Sequence, residues 1–191
     1  MKLYVKIGNY LFDYLVLTIL LIISGLLIIP LYAIIVGIVA FFETGANYKV
    51  IFTTIKENFK LILLLTILML FLGSLIVLSL FIIKSLGMDI ITIIIICLLI
   101  FLMVLLIIYP PIIILKMNVT FKQLLRNTVY LTLVQFKYTI IMLILSGLII
   151  YLSIYQFWFL LLVVPWLQSI HYISNKTINI EKEKKGIGEE I

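Results

Sequence analysis

The stretch that decides the fold is "LILLLTILMLFLGSLIVLSLFII", Leu61 to Ile83. It contains no charged residue and no period-two alternation, and as a helix it extends about 34 Å at ~1.5 Å per residue. That length matches a hydrocarbon core of about 30 Å. Only helices and closed barrels satisfy every backbone group inside lipid, and a barrel strand is a segment of roughly ten alternating residues. The stretch is therefore a transmembrane helix. Its isoleucines do not argue otherwise, because environment overrides a weak propensity.

The same character extends along the whole chain. Its 191 residues are 65% hydrophobic and 12% charged, and the mean hydropathy is +1.37, outside the range of soluble domains. The expected class is all-α: a polytopic transmembrane helix bundle forming a single domain over residues 1–175, followed by a charged cytoplasmic tail over 176–191. Breaks in the apolar pattern predict six spans as three hairpins, near Ile7 to Ile23, Leu26 to Phe42, Leu61 to Ile83, Ile90 to Leu115, Tyr138 to Ser153 and Phe157 to Ile173. The first break falls at Ser24-Gly25, because one helix from Ile7 to Phe42 would be about 54 Å long. Pro30 is tolerated in the opening turn of the second helix. The N-terminal "MKLYVKIGNYLFDYLVLTILLIISG" has a basic flank and an apolar run but no small-residue cleavage site, so it reads as an uncleaved first helix.

Basic residues orient the spans. With the N-terminus inside, every one of the 14 Lys and Arg except Lys84 lies on the cytoplasmic side, so the positive-inside rule selects N-in, C-in. Fusing the first two helices into a five-span chain would place Lys2 and Lys6 outside. The bacterial cell membrane is the expected location. No outward connection is long enough to form a binding domain.

Two inward connections read as amphipathic cytoplasmic helices. In "NYKVIFTTIKENFKLI", Phe52, Ile55, Phe59 and Ile62 form an apolar stripe, with Lys49, Lys56, Glu57 and Lys60 largely elsewhere. In "YPPIIILKMNVTFKQLLRNTVYLTLVQFKY", Phe121, Leu124, Leu125, Thr128 and Leu131 form the stripe, and Lys122 and Arg126 lie four apart on another face. Pro110 and Pro111 bend the fourth span just before it. Lys56, Lys60, Lys116, Lys122, Arg126 and Lys137 are the candidate docking residues. They face either anionic lipid head groups, at roughly 1 kcal/mol per cation, or a cytoplasmic partner. "FTTIKENFKLI" and "VTFKQLLRNTV" suggest a degenerate internal repeat.

"IKENFK", "FKQLLRNTVYLTLVQF" and "SGLLIIPLY" resemble the marked segments of the YesL-like family of bacterial integral membrane proteins, a domain of unknown function, over residues 8 to 175. The family's Arg-then-acid at the start of its second segment appears here as Lys116 with Asn118 in place of the acid. Its Asn-Ser-Tyr near the end of the last helix survives as Tyr172 alone. The resemblance implies an accessory or regulatory subunit of a transporter, a carbohydrate ABC importer among them, or of a membrane sensor kinase. It implies no catalytic residue.

Polar groups inside the spans are functional candidates by default. Asp13 is expected to pair with Lys6, Lys60 or Lys137, or to be a protonatable site. His171, with Gln168 nearby, reads as an interfacial hydrogen-bonder, because no Cys, second His or carboxylate keeps it company in sequence. Ala33 and Gly37 form a small-xxx-small pair. Trp158, Trp166, Tyr151, Tyr155 and Tyr172 fit interfacial anchoring. Cys97 reads as a packing residue. Nucleophile-elbow, zinc-protease and P-loop motifs are absent, so no enzyme, cofactor or metal is expected. The net charge of +6 is a product of topology and not of nucleic-acid binding. Two functions stay open: a non-enzymatic accessory subunit, or a small transporter or channel working as a homo-oligomer.

Overall fold

The structure, a computed structural model, describes residues 2–27, 30–45, 47–86, 89–156 and 161–184. Among these the chain is helical throughout: α1 (Lys2–Leu27), α2 (Leu31–Thr44), α3 (Tyr48–Glu57), α4 (Phe59–Leu86), α5 (Ile90–Ile108), α6 (Pro110–Lys116), α7 (Phe121–Val134), α8 (Phe136–Tyr155) and α9 (Val163–Lys184). Four segments are long and apolar enough to cross a membrane: Ile7–Gly25, Phe59–Ser85, Ile90–Lys116 and Phe136–Ser153. Among the described residues these correspond to four of the six expected spans. α2 is apolar but has only 14 residues, about 21 Å. The sixth expected span begins at Phe157, and Phe157 and Trp158 lie outside the described residues.

α2 is the central helix. Val36 and Ile38 are fully buried and Ala40, Val39 and Phe41 nearly so, and α1, α3, α4, α6 and α9 all pack against it. One core cluster joins α2 to α4, α5, α6, α7, α8 and α9 around Tyr109, Ile112, Ile113 and Leu124. A second joins α1, α2, α3 and α9 around Leu17, Ile38, Ile51 and Leu167. By contrast, Val77, Leu78, Leu80 and Phe81 of α4 and Ile90, Ile91 and Ile94 of α5 are exposed. Such a surface is stable only against an apolar solvent, which is what a bilayer supplies.

The breaks have identifiable causes. Ser24-Gly25 is not a turn: α1 continues to Leu27, and the Ser24 hydroxyl donates to the Leu21 carbonyl at 2.8 Å. The interruption follows, with Pro30 at the N-cap of α2. The left-handed glycine is Gly45, φ 76°, whose N–H closes α2 on the Phe41 carbonyl. Pro110 and Pro111 open α6 and separate it from α5, and the buried Tyr109 hydroxyl shares a hydrogen bond with Thr139 at 2.6 Å. α7 starts with a reciprocal capping box: the Thr120 N–H donates to Gln123 Oε1 at 2.8 Å and the Gln123 N–H to Thr120 Oγ1 at 3.5 Å.

α3 passes into α4 at Asn58, and α7 into α8 at Gln135. Each is an amide residue followed by Phe-Lys, in Asn58-Phe59-Lys60 and Gln135-Phe136-Lys137. Aligned on these junctions, each half reads as an apolar helix, an amphipathic helix, a bend and a long span. This correspondence of elements is in a different register from the repeat expected on "FTTIKENFKLI" and "VTFKQLLRNTV", and α6 has no counterpart in the first half.

α9 continues to Lys184, past the expected start of the tail at 176; residues 185–191, with Glu189 and Glu190, lie outside the described residues. The Trp166 indole N–H donates to Ser146 Oγ of α8 at 3.2 Å, which ties α9 to α8.

Candidate functional site

Glu43 lies in the last turn of α2, Lys116 at the end of α6, and His171 and Asn175 one turn apart on α9. The last three of these side chains, from two helices distant in sequence from α2, converge on the Glu43 carboxylate. Lys116 Nζ is 3.4 Å from Glu43 Oε1, and His171 Nε2 is 3.2 Å from Glu43 Oε2. The Asn175 amide donates to Glu43 Oε2 at 3.4 Å, and Asn175 Oδ1 accepts from Lys116. A closed ring of charge-assisted contacts thus ties the ends of α2 and α6 to α9. His171 is 9% exposed, and its Nδ1 is buried without a hydrogen-bond partner among the described residues.

The polar line continues along α9. Gln168, three residues before His171 and on the same helical face, accepts a hydrogen bond from the Tyr14 hydroxyl of α1. Beside it on α1, Asp13 accepts from the Tyr48 hydroxyl at the start of α3. Burial first, and then the Asp13 carboxylate, push the Tyr48 phenol up from 10.0 to about 12, so it stays a donor. Asp13 has no ion pair with Lys60 or Lys137 among the described residues; the side chain of Lys6 lies outside them.

Lys116 also borders a cleft of about 430 Å³ between the α3–α4 junction and the α6–α7 connection, lined among others by Thr54, Glu57, Asn58, Leu61 and Asn118. The contacts of Glu43, Lys116 and the cleft place the end of α2, the α3–α4 junction, the α6–α7 connection and the middle of α9 at one end of the bundle. Lys84, at the far end of α4, belongs to the other.

The six expected docking residues divide. Lys56, Lys60, Lys122, Arg126 and Lys137 are exposed, and none forms an ion pair within the described residues. Lys116 is withdrawn: its side chain is 17% exposed and held by Glu43. The apolar stripe of α7 faces inward, with Leu124, Thr128 and Leu131 buried. That of α3 is rotated. Ile51 and Thr54 point inward, whereas Phe52 and Phe59 are 62% and 59% exposed, beside Lys56 and Lys60.

Sequence reasoning missed Glu43 and Asn175. His171 seemed alone because its carboxylate is on α2, although the i, i+3, i+7 spacing of Gln168, His171 and Asn175 marks one polar face on α9. Among the described residues no cluster of three or more His, Cys, Asp or Glu is placed to hold a metal. No protein-family model matches the chain, and no curated protein or solved structure matches it at a significant level.

Proposed function

We propose that this chain is a non-enzymatic accessory or regulatory subunit of the bacterial cell membrane that docks a transporter, such as a carbohydrate ABC importer, or a membrane sensor through its basic end. The observation that carries this reading is the division of the cations. Lys116 is consumed internally, while Lys56, Lys60, Lys122, Arg126 and Lys137 stay exposed on α3, α7 and the first turns of α4 and α8. Exposed Phe52, Phe59, Leu133 and Phe136 lie among them. Aromatic and aliphatic side chains beside unpaired cations seat the two helices at the head-group level of a cytoplasmic leaflet. From there the cations present a surface complementary to an acidic patch on a partner. The resemblance to the YesL-like family, and the positive-inside distribution of charge, support the same orientation and role.

The test is affinity purification from gently solubilised membranes, comparing the wild type with a Lys56→Glu/Lys122→Glu/Arg126→Glu variant. Recovery of a specific membrane partner by the wild type and its loss from the variant is the expected result. A homo-oligomer that moves solute in liposomes, with no partner recovered, overturns it. That transport reading is favoured by one observation, the carboxylate, amine and imidazole gathered on α2, α6 and α9.

A further inference from the structure

We propose that the junction of α2, α6 and α9 is a proton-binding site, with His171 as the acceptor and Glu43 and Lys116 as the groups that set its affinity. The site is distinct from the docking surface and contains an unmatched atom. His171 presents Nε2 to Glu43 at 3.2 Å, so a neutral imidazole carries its hydrogen on Nε2 and leaves a lone pair on Nδ1. That Nδ1 is buried and unpartnered among the described residues. That lone pair is the free basic position of the ring, and a proton taken up there becomes a buried N–H without an acceptor, so uptake is costly to the packing around it.

Other ligands suit the site less well. A metal cation meets the Lys116 ammonium at the only carboxylate, and an anion meets the carboxylate itself. A proton instead adds its charge to a ring that already faces Glu43, and it does so against burial first and then the Lys116 ammonium. The charged groups that act on His171 are Glu43 from α2 and Lys116 from α6. α1 faces α9 through Tyr14 at Gln168, α8 through Ser146 at Trp166, and α5 through the Ile108 carbonyl at Ser174. With neutral imidazole, Lys116 balances Glu43. With imidazolium, two cations share one carboxylate, and α6 and α9 compete for the end of α2. Proton uptake is therefore coupled to how firmly that end is held. Lys116 borders the open cleft at the α3–α4 junction, which gives the site its route to solvent.

The protein has a single histidine, so selective ¹⁵N-histidine labelling of the full chain in nanodiscs yields one imidazole spin system. At alkaline pH the nitrogen shifts are expected to report the Nε2–H tautomer. On acidification from about pH 8 to 4, a range extended downward because burial opposes the charged ring, Nδ1 is expected to take up a proton. Glu43→Gln should lower the midpoint by about one pH unit and Lys116→Met should raise it by a similar amount, since each removes one nearby charge. The tautomer is read on the wild type, so it stands even if one variant does not fold. An Nδ1–H tautomer, a resonance that does not titrate over this range, or a midpoint indifferent to both substitutions overturns the proposal.

Discussion

Gly37 sits where α2 and α3 come closest. A Cβ built there would lie 2.5 Å from Ile51 Cγ2 and 3.3 Å from Ile51 Cβ, and Ile51 is fully buried, so it has no space into which to retreat. Gly37→Ala is expected to cost about 1–3 kcal/mol, as overpacked cores do. Ile51→Ala in the same chain should recover part of that loss, so the two substitutions are non-additive in thermal unfolding in detergent. Additive effects would show that the close approach is not what fixes Gly37. The small-xxx-small pair was legible in sequence, but its partner was not: the approach is to the amphipathic α3 and not to another span. Tyr48 carries a second residue-scale prediction. Its hydroxyl titrates near 12 when folded and 10.0 when free. The contribution is therefore complete below pH 10 and lost as pH rises through 12. Tyr48→Phe should flatten the stability profile between pH 10 and 12 relative to the wild type, measured by denaturation at each pH. Parallel profiles would count against the Asp13–Tyr48 bond as a structural tie.

At the scale of elements, helix ends are encoded more locally than helix partners. "TFKQ", Thr120 to Gln123, forms a complete capping box, and its N-cap hydroxyl is expected to contribute about 1 kcal/mol. Thr120→Ala should increase amide hydrogen exchange in the first turn of α7 while leaving α8 unchanged. Thr120→Asp should restore protection, because the acid keeps the cap and suits the positive end of the helix dipole. The apolar stripe of α7 was readable because Leu124, Thr128 and Leu131 recur at helical spacing, and tertiary packing uses that same face. α3 was not, because Phe52 and Phe59 satisfy the period equally well yet face outward. In a chain where lipid and core are both apolar, hydrophobicity alone does not say which of them a residue meets. Ser24-Gly25 failed for a related reason: a serine that donates to its own helix backbone and a glycine with helical φ leave α1 intact, and the interruption waits for Pro30. Glu43 and His171 were invisible as a pair, since nothing in a linear sequence marks the end of α2 as the neighbour of α9.

For the whole molecule the deciding fact is that α2, apolar and only 14 residues long, is packed on by α1, α3, α4, α6 and α9. α1 passes Tyr48 at Asp13 and runs away from the basic end, whereas α2 ends at Glu43 in contact with Lys116 and His171, so α2 returns toward that end. Its return of about 21 Å is shorter than a hydrocarbon core of ~30 Å. Because α1, α3, α4, α6 and α9 surround it, α2 need not match the bilayer thickness. Mismatch is a cost borne by lipid-facing helices, and α4 and α5 carry the exposed apolar surface that fits that position. If α9 likewise returns beside α8, both termini share the side that holds α3 and α7, and only Lys84 faces outward. Cysteine labelling tests that orientation directly. In a Cys97→Ser background, Lys84→Cys should react with a membrane-impermeant maleimide on intact cells, whereas Asn47→Cys and Lys176→Cys should react only after permeabilisation. In the wild type Cys97, exposed on α5, should be protected by lipid and remain unlabelled in both conditions. Labelling of Asn47→Cys from outside would invert the molecule. The exposed cations of α3 and α7 would then face away from the cytoplasm, and the docking function proposed for them would fall with the orientation.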